Sequence, residues 1–109
     1  MSCLRDMKGV VAMGLALRWG HYKQEAFGDA AARFEDFAKR YPDSPLCAEA
    51  LFWAGESFRM KKDVPMAFRY YNRCRWDYPE SEVANYDRGR LALPEMLDQF
   101  EREADLDKE

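Results

Sequence analysis

Two stretches of the sequence repeat each other at a fixed distance of 37 residues. The recurring residues keep their order along the chain, and the pairs are Ala30 and Ala67, Phe34 and Tyr71, Tyr41 and Tyr78, Pro42 and Pro79, and Ser44 and Ser81. A period of this length is typical of helical repeats, in which one pair of helices cannot bury its own apolar face. We therefore expect an all-α fold in which helix pairs pack side by side.

Between the turn-forming segments, apolar residues recur at steps of three and four, as in the series Phe34, Phe37 and Tyr41. This spacing places them on one face of an α-helix, and the alternation typical of strands is absent. The pattern predicts five helices, near residues 4–23, 27–41, 46–61, 64–78 and 82–104. Pro94 lies within the last of these, where it either kinks the helix or begins a new one as a first-turn residue.

The second copy carries residues that resemble the signature of the tetratricopeptide repeat family. They are Leu51, Ala54, Gly55 and Phe58 on one predicted helix, Ala67 and Tyr71 on the next, and Pro79 after it. Residues 48–81 also span 34 positions, which is the repeat length of that family. The resemblance implies a right-handed α-α superhelix of stacked antiparallel hairpins, with about two and a half repeats.

The same resemblance implies a single domain over residues 1–109. Repeat one is expected at about 4–44, repeat two at about 46–81, a half repeat with a C-terminal cap at about 82–104, and a tail at 105–109. The first helices of the outer repeats depart from the signature. Arg18 stands where the small glycine of repeat one would fall, Gly20 is a candidate substitute, and Gly89 takes the glycine place in the half repeat.

In the resembled fold, the first helix of each pair lines a concave groove. With Gly55 as the reference position, the repeat register predicts a partner-binding groove formed by Leu15, Trp19, Tyr22, Glu49, Phe52, Glu56, Arg59, Tyr86 and Arg90. Aromatic residues and arginine are the types that often dominate the energy of interfaces. In the alternative interpretation, several of these rings are core residues, and Glu56 and Arg59 form only a surface pair.

The sequence around residues 41–58 narrows the resemblance to the bacterial cell-envelope branch of the family. That branch includes the periplasmic coordinator of the Tol-Pal system and the repeat lipoprotein of the outer-membrane β-barrel assembly machine. The resemblance implies a non-catalytic scaffold for protein–protein contacts in the periplasm or cell envelope, with the cytoplasm as the alternative location. No stretch reaches the roughly 20 apolar residues that span a bilayer, so no transmembrane segment is expected.

The N-terminal helix has almost no polar face between Gly9 and Leu17. A terminal repeat normally needs a polar outer side. The alternative function is therefore structural, through homo-oligomerisation of this helix, and the predicted self-association residues are Val10, Val11, Met13 and Leu17. Trp76 and Phe68 lie off the main apolar stripe of their helix and are candidates to extend that contact.

Neither catalysis nor binding of a metal, cofactor or nucleic acid is expected. His21 is the one histidine, and no motif places a base beside a nucleophile. Three widely spaced cysteines provide neither a zinc site nor a disulfide framework, and Cys47 and Cys74 are expected to be buried thiols. Basic residues are scattered, and the net charge is −3. The sequence therefore favours a partner that is another protein or peptide.

Overall fold

The computed structural model describes residues 2–18 and 26–108, and it describes side chains at 5–16 and 26–104. All regular structure in these ranges is helical. The six helices found there are α1 (Ser2–Arg18), α2 (Phe27–Arg40), α3 (Cys47–Met60), α4 (Val64–Asp77), α5 (Val83–Leu91) and α6 (Pro94–Lys108). None of them is long and apolar enough to cross a membrane.

The three middle helices, α2 to α4, confirm the sequence prediction to within one residue at each end. The predicted count of five helices was wrong, because α5 and α6 are separate. Pro94 begins α6 because its ring cannot continue the preceding helix, while a turn at Ala92 and Leu93 makes the connection. The predicted first helix at 4–23 extends past Arg18 into residues that lie outside the described ranges.

The backbone confirms the 37-residue period at the ends of α2 and α4. Tyr41 follows α2 with φ −131° and ψ 61°, and Tyr78 follows α4 with φ −132° and ψ 59°. In both turns the serine N–H donates to the tyrosine carbonyl, at 3.0 Å from Ser44 and 3.1 Å from Ser81. The two copies of the sequence therefore form the same turn.

The helices pack in chain order into an array of 46 × 30 × 23 Å, with α3 in contact with both α2 and α4. Helix α1 packs on α2 and α3, and α6 packs on α4 and α5. Apolar side chains form two buried clusters. One joins α1, α2 and α3, and the other extends from α2 and α3 through α4 to α5 and α6. The right-handed superhelix implied by the resemblance stays a prediction.

Two glycines permit close packing between these helices. A Cβ atom at Gly55 would lie 2.7 Å from the Tyr71 ring, so α3 and α4 can approach only because that position has no side chain. Gly14 has the same role between α1 and α3, where a Cβ would lie 2.8 Å from Nε1 of Trp53. Gly20 lies outside the described residues, and Gly89, which takes the glycine place of the half repeat, has open space around it and does not mediate close packing.

Candidate partner-binding groove

A cavity of about 370 Å³ lies between α3 and α5 and opens to solvent. Its lining residues are Phe52, Trp53, Glu56, Arg59 and Met60 from α3, and Tyr86 and Arg90 from α5. We call this the α3–α5 groove. The helical spacing of the α3 residues places them on one side of that helix, while α5 supplies the opposite wall.

Glu56 is the ionic centre of the groove, although only 5% of it is exposed. Its carboxylate accepts hydrogen bonds from Nε of Arg90 at 2.7 Å and from Nη2 of Arg59 at 3.4 Å. The Tyr71 hydroxyl, which comes from α4 below the groove, also donates to this carboxylate. Residues of three helices therefore surround one buried carboxylate, and together they compensate the cost of burying its charge.

These contacts decide the ionisation of the buried groups. Burial alone would raise the pKa of Glu56, but hydrogen bonds from Arg90 and Tyr71 and the charge of Arg59 outweigh burial and lower it. Burial and the neighbouring carboxylate raise the pKa of Tyr71. Glu56 is therefore ionised and Tyr71 is neutral, which fixes the tyrosine as a donor and the glutamate as an acceptor.

The lining has one positive charge more than it has negative charges. Glu56 balances one of the two guanidinium groups, and the side chains of Arg59 and Arg90 remain 29% and 36% exposed. The Arg90 guanidinium carbon also lies 5.9 Å from the centre of the Phe52 ring. The cations are thus held in place by Glu56 and Phe52 while part of each faces the groove.

The aromatic residues of the groove differ in accessibility. Phe52 is buried, and its ring stacks on that of Tyr86 with centroids 5.9 Å apart. Tyr86 is 59% exposed, so most of its ring is free to contact a partner. Phe52 therefore belongs to the core and supports the groove, and Tyr86 supplies the accessible aromatic surface.

The structure brings together five of the nine residues predicted for the groove, namely Phe52, Glu56, Arg59, Tyr86 and Arg90. Glu49 is half-buried and Leu15 is exposed, but neither lines the cavity. Trp19 and Tyr22 lie outside the described residues. The alternative in which Glu56 and Arg59 form only a surface pair was wrong, because Glu56 is buried and Tyr71 and Arg90 also bond to its carboxylate.

Trp53 was missed as a lining residue. It precedes Glu56 by three positions, a helical spacing that could have placed it beside the groove.

The residues predicted for self-association are divided between the core and the surface. Val10 is buried and Met13 is partly buried in the cluster that contains Phe34 and Phe37, so assigning these two to a free surface was wrong. They form the side of α1 that packs on α2 and α3. Val11 is exposed, and the side chain of Leu17 lies outside the described ones.

The two additional contact candidates on α4 also differ. Phe68 is buried in the core, and Trp76 is exposed.

Other groups with chemical potential are buried in the array. Cys47 and Cys74 are buried free thiols, as predicted, and burial raises the pKa of Cys74. Over the part of the chain that the structure describes, no group of three or more His, Cys, Asp or Glu side chains could hold a metal ion. The groove itself combines an ionised, fully engaged carboxylate with partly exposed cations and an aromatic surface, which is an arrangement suited to binding.

Packed helix hairpins with a groove along one side define an all-helical repeat protein. The family model described as tetratricopeptide repeat matches residues 49–81, which include most of α3, all of α4 and the turn after it. This match supports a tetratricopeptide-type protein, and such repeats generally mediate protein–protein contacts on a scaffold that is typically non-catalytic. Searches of curated proteins and of solved structures found no match to the chain.

Proposed function

We propose that this chain is a non-catalytic scaffold that holds a segment of a partner protein in the α3–α5 groove. The observation that carries the proposal is the pairing of an exposed aromatic ring, Tyr86, with two arginines that are fixed by a buried glutamate. Side chains that are ordered before binding lose less conformational entropy when a partner binds.

The charge of the groove indicates the chemistry of the segment that it binds. Arg59 and Arg90 together exceed the charge of Glu56 by one, so a carboxylate of the partner is favoured beside them. The exposed ring of Tyr86, which stacks on Phe52, favours an apolar or aromatic side chain next to that carboxylate. The partner segment is therefore expected to combine an acidic residue with a neighbouring apolar one.

Selection from a random peptide library on the immobilised chain tests the proposal. Selected peptides are expected to pair an acidic with an apolar residue, and Tyr86→Ala is expected to weaken their binding at least tenfold in fluorescence anisotropy. Trp76→Ala is the matched control, since Trp76 is an exposed aromatic on α4 that is not part of the groove. Peptides that bind wild type and Tyr86→Ala equally tightly would contradict the proposal.

The acidic part of the ligand is tested separately. Changing the acidic residue of a selected peptide to its amide is expected to weaken binding to the wild type, and the effect should diminish as salt is raised. An amide peptide that binds as tightly as the acidic one would show that the arginines do not recognise a carboxylate.

A role in bacterial envelope assembly, in the periplasm or cell envelope, is proposed from the sequence resemblance alone. Fractionation of cells that express the natural gene product with a C-terminal tag tests the location. Recovery with periplasmic or membrane-associated proteins is expected, and recovery with cytoplasmic markers would refute this part of the proposal.

A further inference from the structure

Two helices at opposite ends of the array expose apolar side chains. On α1, Val11 and Leu15 are 43% and 50% exposed, and on α6, Leu97 and Phe100 are 53% and 59% exposed. The spacings of four and three residues place each pair on one face of its helix. Because α1 packs on α2 and α3 while α6 packs on α4 and α5, the two faces belong to different ends of the array.

The two faces differ in shape. A cavity of about 210 Å³ lies beside Phe100 and Leu97. Its lining also includes the apolar Phe68 and Leu91 and the polar Asn72 and Arg75. On α1, by contrast, two aliphatic side chains are exposed beside Ala12, which is small and also exposed. The end that carries α6 therefore offers a depression, and the end that carries α1 offers aliphatic groups that can enter it.

The two helices also have opposite charge. Helix α1 contains three basic residues and one acidic residue, and that acid, Asp6, already accepts a hydrogen bond from Tyr41 at 2.6 Å. Helix α6 contains six acidic residues and two basic ones. Lys8 is exposed one turn from Val11, and Glu101 is exposed one turn from Leu97, so the exposed charges next to the two apolar pairs are opposite in sign.

We infer that the α6 face binds the α1 face of a second copy of this chain, so that copies join head to tail. The inference does not depend on the α3–α5 groove. A contact between two different faces leaves one of each unused in every dimer, so association continues with concentration instead of stopping at two copies. An α1–α1 contact, in contrast, would bring basic helices together and leave the acidic α6 face uncovered.

Complementation between two variants tests this pairing. Val11→Asp removes the α1 face and Phe100→Asp removes the α6 face, and each variant is expected to be monomeric at concentrations where the wild type associates. An equimolar mixture is expected to form a one-to-one complex in analytical ultracentrifugation, because one intact face of each kind remains. Tyr86→Asp, at an equally exposed aromatic in the groove, is the control and should associate like the wild type. Circular dichroism of every variant verifies that the helices are intact.

The outcomes separate the possible pairings. Association of Phe100→Asp alone would show an α1–α1 contact, association of Val11→Asp alone would show an α6–α6 contact, and a wild type that stays monomeric at millimolar concentration would refute any contact between copies.

A charge exchange gives a second test. Lys8→Glu and Glu101→Lys are each expected to raise the concentration needed for association several-fold, and the double variant is expected to recover it. A double variant that associates as weakly as the single variants would show that Lys8 and Glu101 do not pair across the contact.

Discussion

The interface between α2 and α3 and the interface between α4 and α5 each join two successive helices of the array, yet they differ in the polarity of a fully buried residue. In the first, Ala50 is fully buried in the cluster that holds Phe34 and Phe37. In the second, Asp87 of α5 is also fully buried. Among the described residues, neither of its carboxylate oxygens accepts a hydrogen bond. A repeated helix pattern therefore does not guarantee a repeated apolar interface.

The surroundings of Asp87 explain how a carboxyl group can occupy this site. Burial raises the pKa of Asp87 to about 7, and the charge of Glu56 adds to the increase, whereas the charges of Arg88 and Arg75 oppose it. The α4–α5 interface thus holds a proton at acidic pH and must accommodate a charge above neutrality. The α2–α3 interface has no equivalent cost, because Ala50 has no titratable group.

Placing an aspartate in the α2–α3 interface is expected to have the largest effect on stability. Ala50→Asp is expected to destabilise the protein by about 3–5 kcal/mol at pH 8, because a charged carboxylate without partners would lie in an apolar cluster. Urea denaturation followed by circular dichroism measures the loss. Ala32→Asp, at an exposed position of α2, is the control and should change the free energy of unfolding by less than about 0.5 kcal/mol. Equal stability of Ala50→Asp and wild type would contradict the buried position of Ala50.

The glycines of α3 and α5 should respond in opposite directions. Gly55→Ala is expected to cost about 2–3 kcal/mol, because its Cβ would lie 2.7 Å from the Tyr71 ring and α3 and α4 would have to separate. Gly89→Ala meets open space within a helix and should stabilise by about 0.5–1 kcal/mol. Thermal denaturation of both variants measures the difference, and a stabilising Gly55→Ala would show that these helices are not in close contact.

Removing the carboxylate of Asp87 should change how the stability of the protein depends on pH. The folded pKa of about 7 lies above the usual value of 3.8, so the folded state binds more protons than the unfolded state between these values. Wild-type stability should therefore fall as pH rises from about 4 to 8, whereas Asp87→Asn should lose this part of the dependence. We expect Asp87→Asn to gain about 1–2 kcal/mol relative to wild type over that range, since relaxation reduces the full cost of a buried charge.

Urea denaturation at several pH values measures this relative gain. The lowered pKa of Glu56 contributes the opposite dependence, because its stabilisation is present above the unfolded pKa and is lost as pH falls through the folded one. Comparison with Asp87→Asn at each pH removes that contribution, since both proteins retain Glu56. A wild type and variant with parallel pH profiles would refute the raised pKa of Asp87.

The smallest effect is expected where α2 and α4 differ by one hydroxyl group. Tyr71→Phe gives α4 the residue that α2 has at Phe34, and it should cost about 1 kcal/mol because Glu56 loses one of its donors. Phe34→Tyr should also destabilise, because the added hydroxyl would enter a fully buried apolar position. Urea denaturation measures both changes, and an unchanged Tyr71→Phe would show that Arg59 and Arg90 suffice to hold Glu56.

The sequence could predict the elements whose causes are local. Pro42 and Pro79 with their neighbouring turn residues mark where α2 and α4 end, and helical spacing on α3 links Phe52, Glu56 and Arg59. The burial of Glu56 could not be predicted in this way. It requires a hydroxyl 15 positions away and a guanidinium 34 positions away to meet at one carboxylate, and spacing along one helix does not determine such a meeting.

The same limit explains the errors at the two ends of the chain. Periodicity identified α1 as apolar, but it did not show that the side bearing Val10 and Met13 packs on α2 and α3. Gly14 was not predicted to be a packing residue, because its partner Trp53 lies on α3 and not on α2, the helix paired with α1 in repeat one. Toward the other end, the helical spacing of α5 does not distinguish Asp87, although the helix arrangement buries it completely.

The position of Trp53 couples the packing of α1 to the shape of the α3–α5 groove. Its indole ring lies against the backbone of α1 at Gly14 and also forms part of the groove wall, so one rigid fluorophore borders both surfaces. Any occupant that displaces this ring would disturb the seat of the N-terminal helix, and any loosening of that helix would alter the wall that an occupant meets. In a variant in which Trp19 and Trp76 are replaced by phenylalanine, the emission of Trp53 alone can therefore report both events in solution.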